Sequence, residues 1–248
     1  MKALGIIGYH HTGKTTLATA LISALKAKGY SVSSVKDIHH QMYRADTEGS
    51  NTAKHSAAGA QAVFAKGLYD SALLFPSSLA LTEVIPHFHS QWLIIEGLKT
   101  APVPKIVCAQ NTDELDELID DTTIGISGII ASELSSYRGL PVFCLEKHLP
   151  HLVELIQEKC FSVLPDVPSH CCGECGFSCY DLACRIVQGK AQRSDCVLDA
   201  KQKLRLMVND QEVIIVPFIQ RLLADIIRSY VANLKDVDSS GRISIEID

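Results

Sequence analysis

Eight residues near the amino terminus, Gly8-Tyr9-His10-His11-Thr12-Gly13-Lys14-Thr15, have the spacing of a phosphate-binding loop. Gly8 and Gly13 let successive backbone N–H groups turn toward phosphate oxygens. Lys14 brings a point charge to the β- and γ-phosphates, and the Thr15 hydroxyl is a ligand for Mg2+. Together with His11, Thr12 and the following Thr16, these residues are the candidate nucleotide contacts. Two carboxylates are candidates to act beside them. Glu96 ends the apolar run Trp92-Leu93-Ile94-Ile95, where a phosphate-loop protein keeps its second Mg2+-orienting group. Asp37 follows the run Val32–Val35 and is placed to approach Mg2+ or an attacking water. His39 and His40 beside it either reach phosphate or a second substrate, or are plain polar loop residues. Lys14, Asp37 and Glu96 are therefore the candidate catalytic groups. No Asn-Lys-x-Asp segment of the kind that reads guanine is present, so the residues alone leave the base open.

A second chemistry is carried by thiols. Of nine cysteines, Cys108, Cys144 and Cys160 are scattered and read as small core residues. The other six (Cys171, Cys172, Cys175, Cys179, Cys184 and Cys196) crowd one short segment. In a reducing compartment such a cluster binds metal more often than it forms disulfides. The triplet Cys172, Cys175 and Cys179 with the distant Cys196 suits a 4Fe-4S cubane, because zinc sites more often use two separated pairs. Gly173 and Gly176 would let N–H groups approach the sulfurs. Zinc and inert thiols are the alternatives.

These groups need a scaffold. The short apolar runs Ala3–Ile7, Val32–Val35, Trp92–Ile95, Ile106–Cys108, Thr123–Ile130 and Val142–Leu145 read as strands, with helical stretches between them and Leu149–Lys159 as a closing helix. Alternation of this kind predicts an α/β fold: a mostly parallel sheet with helices on both faces. The two prolines of Val163–Ser169 read as a linker. In the tail, Leu204, Leu206 and Val208, then Asn209-Asp210, then Val213 and Ile215 read as a hairpin. Pro217 starts a helix whose stripe (Ile219, Leu222, Ile226, Tyr230 and Leu234 among others) reads as core. A turn at Asp238–Gly241 and a strand with Ile243, Ile245 and Ile247 complete a β-β-α-β unit. The expected division is 1–162 for the phosphate-loop domain, 170–198 for the cysteine module and 200–248 for the tail.

At 248 residues and 47% hydrophobic content, the chain can enclose a proper core. A net charge of −5 without a basic stripe points away from nucleic acid. No apolar run is long enough to span a membrane, and the first strand begins at once, so the expectation is a soluble cytoplasmic protein.

The pieces together resemble the molybdopterin-guanine dinucleotide biosynthesis protein B (MobB) family. The resemblance lies in Gly8–Leu17, Val35-Lys36-Asp37-Ile38-His39-His40, Asp46–Thr52 leading to Ala58-Gly59-Ala60, and Ile95-Glu96-Gly97-Leu98-Lys99 running on to Pro104-Lys105-Ile106-Val107. It covers roughly the first 160 residues. Asp37 replaces a histidine usual in the family, and Asn51-Thr52 stands where Asp-Ser is usual. The resemblance implies a homodimeric GTP-binding adapter, hydrolysing slowly if at all, beside the nucleotidyltransferase that adds guanine nucleotide to the molybdenum (or tungsten) cofactor of a target enzyme. Residues Cys172–Cys196 resemble the iron–sulfur module of Rnf-type electron-transfer subunits and the corrinoid iron–sulfur protein, with one residue fewer between Cys175 and Cys179. Two other functions compete with the adapter: a nucleotide-driven electron-transfer or metal-insertion ATPase, and a zinc-stapled interaction module with a degenerate nucleotide site.

Overall fold

The computed structural model describes residues 1–166, 172, 175–196, 206–208, 211–213, 217–234 and 243. The chain divides into two compact units, Met1–Val163 and Leu164–Asp248.

In the first unit the order is β1 (Lys2–Gly8), α1 (Lys14–Ala27), β2 (Val32–Lys36), α2 (Asn51–Ala57), β3 (Val63–Lys66), β4 (Ser71–Leu74), α3 (Leu81–Val84), β5 (Trp92–Glu96) and β6 (Lys105–Cys108). Then follow α4 (Thr112–Leu118), β7 (Thr123–Ser127), β8 (Ser136–Tyr137), β9 (Leu140–Pro141) and α5 (Leu145–Lys159). Five strands form one parallel sheet in the order β2-β5-β1-β6-β7. Parallel strands are covered on both faces, so they are apolar without alternation. Accordingly, every residue of β5, β6 and β7 is buried. On one face Ala3, Leu93, Ile95 and Val103 pack with Leu81 of α3, while Ile7, Val107 and Ile126 pack with Leu115 and Leu118 of α4. The period of two turns Leu4 and Ile6 to the other face. Helix α1 buries Leu17, Leu21 and Leu25 at intervals of four, one stripe of a helix, and packs against α5. The strand order brings the carboxyl ends of β1, β2 and β5 together, which is where open α/β sheets bind ligands.

Three details depart from the sequence expectation. The strand expected over Thr123–Ile130 stops at Ser127, because the chain turns into a 3-10 helix at Ile129–Ser132. The strand expected at Val142–Leu145 is reduced to one bridge, Val142 to Ile126, since α5 already begins at Leu145. Between β2 and β5, the antiparallel hairpin β3–β4 interrupts what reads as helical sequence.

In the second unit α6 (Cys179–Val187), a 3-10 turn at Arg193–Asp195, β10 (Leu206–Val208), β11 (Gln211–Val213) and α7 (Pro217–Ala232) are described. Strands β10 and β11 are antiparallel, and α7 starts at Pro217 as expected. Leu204, Asn209-Asp210, Ile215, Asp238–Gly241, Ile245 and Ile247 lie outside the described residues, as do Cys171 and residues 167–169 of the expected linker. The α7 stripe expected as core is open along Leu222, Ile226, Tyr230 and Leu234, all of them exposed. Helical periodicity sets only which residues share a face, not what covers that face.

Candidate functional site

Helix α1 opens from the loop with Gly13 as its N-cap, at φ 92 and with no side-chain cap. The first-turn N–H groups are thus left to a ligand, at the positive end of the helix dipole. Gly8 permits a close approach: a Cβ there would lie 2.2 Å from the Cys108 carbonyl oxygen. His11 holds φ 61, unusual for a residue with a side chain and a small stored strain at the loop. The buried Thr12 hydroxyl donates to the Tyr9 carbonyl at 3.0 Å, and the Lys14 ammonium donates to the same oxygen. Lys14 is therefore folded back over its own loop. Its pKa is lowered, mainly by partial burial, with the Lys36 charge acting in the same direction. Cys108, at the end of β6, is pushed up to about 12 by burial and stays a neutral thiol.

Thr15 and Glu96 meet across the loop. The Thr15 hydroxyl donates to Glu96 Oε1 at 2.7 Å. Glu96 is buried at the end of β5, and the Lys36 ammonium at the end of β2 lies 3.1 Å from the same Oε1. Lys36 Nζ also donates to Thr15 Oγ1 at 3.2 Å. The hydroxyl and carboxylate oxygens beside this ammonium are hard donors of the kind that Mg2+ takes. Asp37 is directed elsewhere: its carboxylate pairs with His39 Nε2 at 3.0 Å, while its backbone N–H donates to the Glu96 carbonyl at 2.8 Å. Thr16 is exposed on the first turn of α1.

Three residues to which the sequence assigned no role border the loop. Lys36 is one. The Tyr9 hydroxyl donates to Glu117 Oε2 at 2.5 Å, and the Lys99 ammonium stands 4.8 Å over the Tyr9 ring. The signal for Lys36 was strand register, since Lys36 and Glu96 are paired positions of adjacent parallel strands. Of the other segments that carried the resemblance, Asp46–Thr52 builds a helix start. Ser50 Oγ accepts from the Ala53 N–H at 3.0 Å, and Asp46 Oδ1 accepts from Ser50 Oγ at 3.0 Å. Lys105 is wholly buried and paired with Asp120 Oδ2 at 3.1 Å.

In the second unit Cys172, Cys175 and Cys179 are half-buried and Cys196 is buried. Cys179 is the first residue of α6, whose N-cap Ser178 accepts from the Asp181 N–H at 3.0 Å. Cys175 Sγ lies 3.5 Å from the Phe177 carbonyl oxygen. Four cysteine sulfurs within 25 residues are the donor chemistry of an iron–sulfur cluster. The structure does not gather them: among the described residues no group of three or more His, Cys, Asp or Glu side chains is close enough to hold a metal ion. Among the same residues, no helix is long and apolar enough to cross a membrane.

A glycine loop between a buried parallel strand and a helix, with its hydroxyl against a strand-end carboxylate, defines a nucleotide-binding protein of the P-loop class. Comparison with known proteins narrows the class. The family model of molybdopterin guanine dinucleotide synthesis protein B matches residues 3–131, more than half of the chain, and the chain belongs to that family. A second family model, described as "Putative Fe-S cluster", matches residues 168–198. A Methanocaldococcus jannaschii protein named "Putative molybdopterin-guanine dinucleotide biosynthesis adapter protein" is 28% identical over 100% of this chain and 98% of its own length. The molybdopterin-guanine dinucleotide biosynthesis adapter protein of Haemophilus influenzae is 34% identical over 42% of this chain and 61% of its own. The crystal structure of Bacillus subtilis MobB superposes with a TM-score of 0.54 at 26% identity, covering 64% of this chain and 97% of that one.

Proposed function

We propose that this protein is an adapter in the biosynthesis of the guanine dinucleotide form of the molybdenum (or tungsten) cofactor, binding GTP·Mg2+ in its first unit and a 4Fe-4S cluster in its second. The observation that carries this reading is the Thr15–Glu96 contact at 2.7 Å beside the loop, in a chain of this family. The loop amides and the α1 terminus cradle the phosphates, and Lys14 leaves the Tyr9 carbonyl to meet them. Thr15 and Glu96 would hold Mg2+, which would offset the phosphate charge. Asp37, held by His39, orients the loop after β2 rather than the metal. The partners of this reading are the cofactor nucleotidyltransferase, a second copy of the chain and the molybdo- or tungstoenzyme that receives the cofactor.

In the second unit Cys172, Cys175, Cys179 and Cys196, all within the segment that the iron–sulfur family model matches, would be the residues to hold the cluster. When bound, it would supply a redox or docking centre for the receiving enzyme. Anaerobic purification with iron, sulfide and zinc assayed together, followed by titration with GTP and ATP, tests both halves. The reading expects about four irons and four sulfides per chain, as a cubane requires, and a preference for GTP. About one zinc and no iron would overturn the cluster. An ATP preference with hydrolysis-coupled cluster reduction would replace the adapter by an electron-transfer ATPase.

A further inference from the structure

Lys36 and Glu96 sit opposite each other at the carboxyl ends of two neighbouring parallel strands, so backbone register alone brings their side chains together. The contact is specific. Glu96 Oε1 receives both the Thr15 hydroxyl at 2.7 Å and the Lys36 ammonium at 3.1 Å, and that ammonium also donates to Thr15 Oγ1 at 3.2 Å. The Glu96 side chain is only 10% exposed, whereas the Lys36 side chain is 53% exposed. A carboxylate so enclosed needs a counter-charge. Lys36 supplies one, from a long flexible stem that reaches in from solvent.

We infer that Lys36 is a tethered counter-ion that occupies the metal position while the nucleotide is absent and gives way when the metal arrives with it. The inference rests on reading Thr15 and Glu96 as the Mg2+ ligands. A divalent cation bound by those two oxygens would lie within a few ångströms of the ammonium, and like charges so close repel strongly. The two cations therefore exclude one another. With no phosphate present, a metal ion gains one carboxylate and must expel a lysine to do so. With a triphosphate present, several negative charges appear beside the site and give the lysine somewhere else to go. The nucleotide-free protein is then a poor metal binder by construction, and metal loads only together with nucleotide.

The test is a Mn2+ titration of nucleotide-free full-length protein followed by electron paramagnetic resonance, with thermal melting to check that each variant is folded. The native chain is expected to show no tight Mn2+ site at the loop. Lys36→Met is expected to gain one, with affinity raised roughly tenfold or more, the scale of removing one close like-charge contact at a partly exposed site. Lys36→Arg, which keeps the charge, is expected to behave as the native chain, and adding Glu96→Gln to Lys36→Met is expected to abolish the gain. Mn2+ binding that is equally weak in the native chain and Lys36→Met would overturn the inference. Failure of the underlying reading looks different: Thr15→Val and Glu96→Gln would leave the Mg2+ dependence of nucleotide binding untouched, and the inference would fall with it.

Discussion

Lys14 is charged, partly enclosed and bonded to a backbone carbonyl of its own loop, the Tyr9 oxygen. Burial is the main cause that lowers its pKa below the ordinary lysine value of 10.5. The sign of the resulting pH dependence is fixed. Phosphate binds the ammonium form, so the bound state raises the pKa that the empty loop lowers. Nucleotide binding must therefore take up protons in the alkaline range, and affinity must fall as pH rises through the lowered pKa, a fall that begins below 10.5. In the empty protein the same shift makes the ammonium a small cost to folding, relieved as pH rises through that pKa. Calorimetric titration in two buffers of different ionisation heat checks the proton uptake; identical apparent heats at alkaline pH would contradict it. The Lys36 ammonium stands 3.1 Å from the Glu96 carboxylate.

At the scale of elements, the loop is held by the strands behind it. Lys105 begins β6 as a wholly buried lysine, and its counter-charge is Asp120 at 3.1 Å in the turn before β7. The other oxygen of Asp120 accepts from the Thr122 N–H at 2.9 Å and from the Thr122 hydroxyl at 2.5 Å. Asp120→Asn removes the counter-charge of a buried ammonium and is expected to destabilise the fold more than Lys105→Met, which removes the buried charge itself. Urea unfolding of both variants decides this, and equal losses would show that the pair has no such asymmetry. Most of these elements were legible in the sequence, because parallel strands are buried on both faces and show as unbroken apolar runs such as Trp92–Ile95. The phosphate loop was legible because its glycines and lysine are tied to one geometry. The β3–β4 hairpin was not: Phe64 and Leu73 are exposed on it, so the half-buried alternation that betrays a strand is weak there. Glu96 was legible because it ends an apolar strand. The contact of Lys36 with Glu96 depends on a register between distant segments that no local pattern carries, and the Asp37 carboxylate pairs with His39.

For the whole molecule, a net charge of −5 must accommodate a strongly anionic nucleotide. Long-range attraction gives no help, so affinity has to come from the local cations Lys14, Lys36 and Lys99, the loop amides and the metal. The two units then divide the chemistry. The first has a hard oxygen-and-ammonium site at the end of a rigid sheet, and the second has soft thiols in a short segment around α6. The most direct measurement is calorimetric titration of Mg·GTP into the full chain and into Lys14→Ala, with thermal melting of both. The account predicts saturable binding to the native chain that is lost in Lys14→Ala while the melting temperature is kept, because the lysine meets phosphate rather than packing. Unaltered affinity in Lys14→Ala would contradict it.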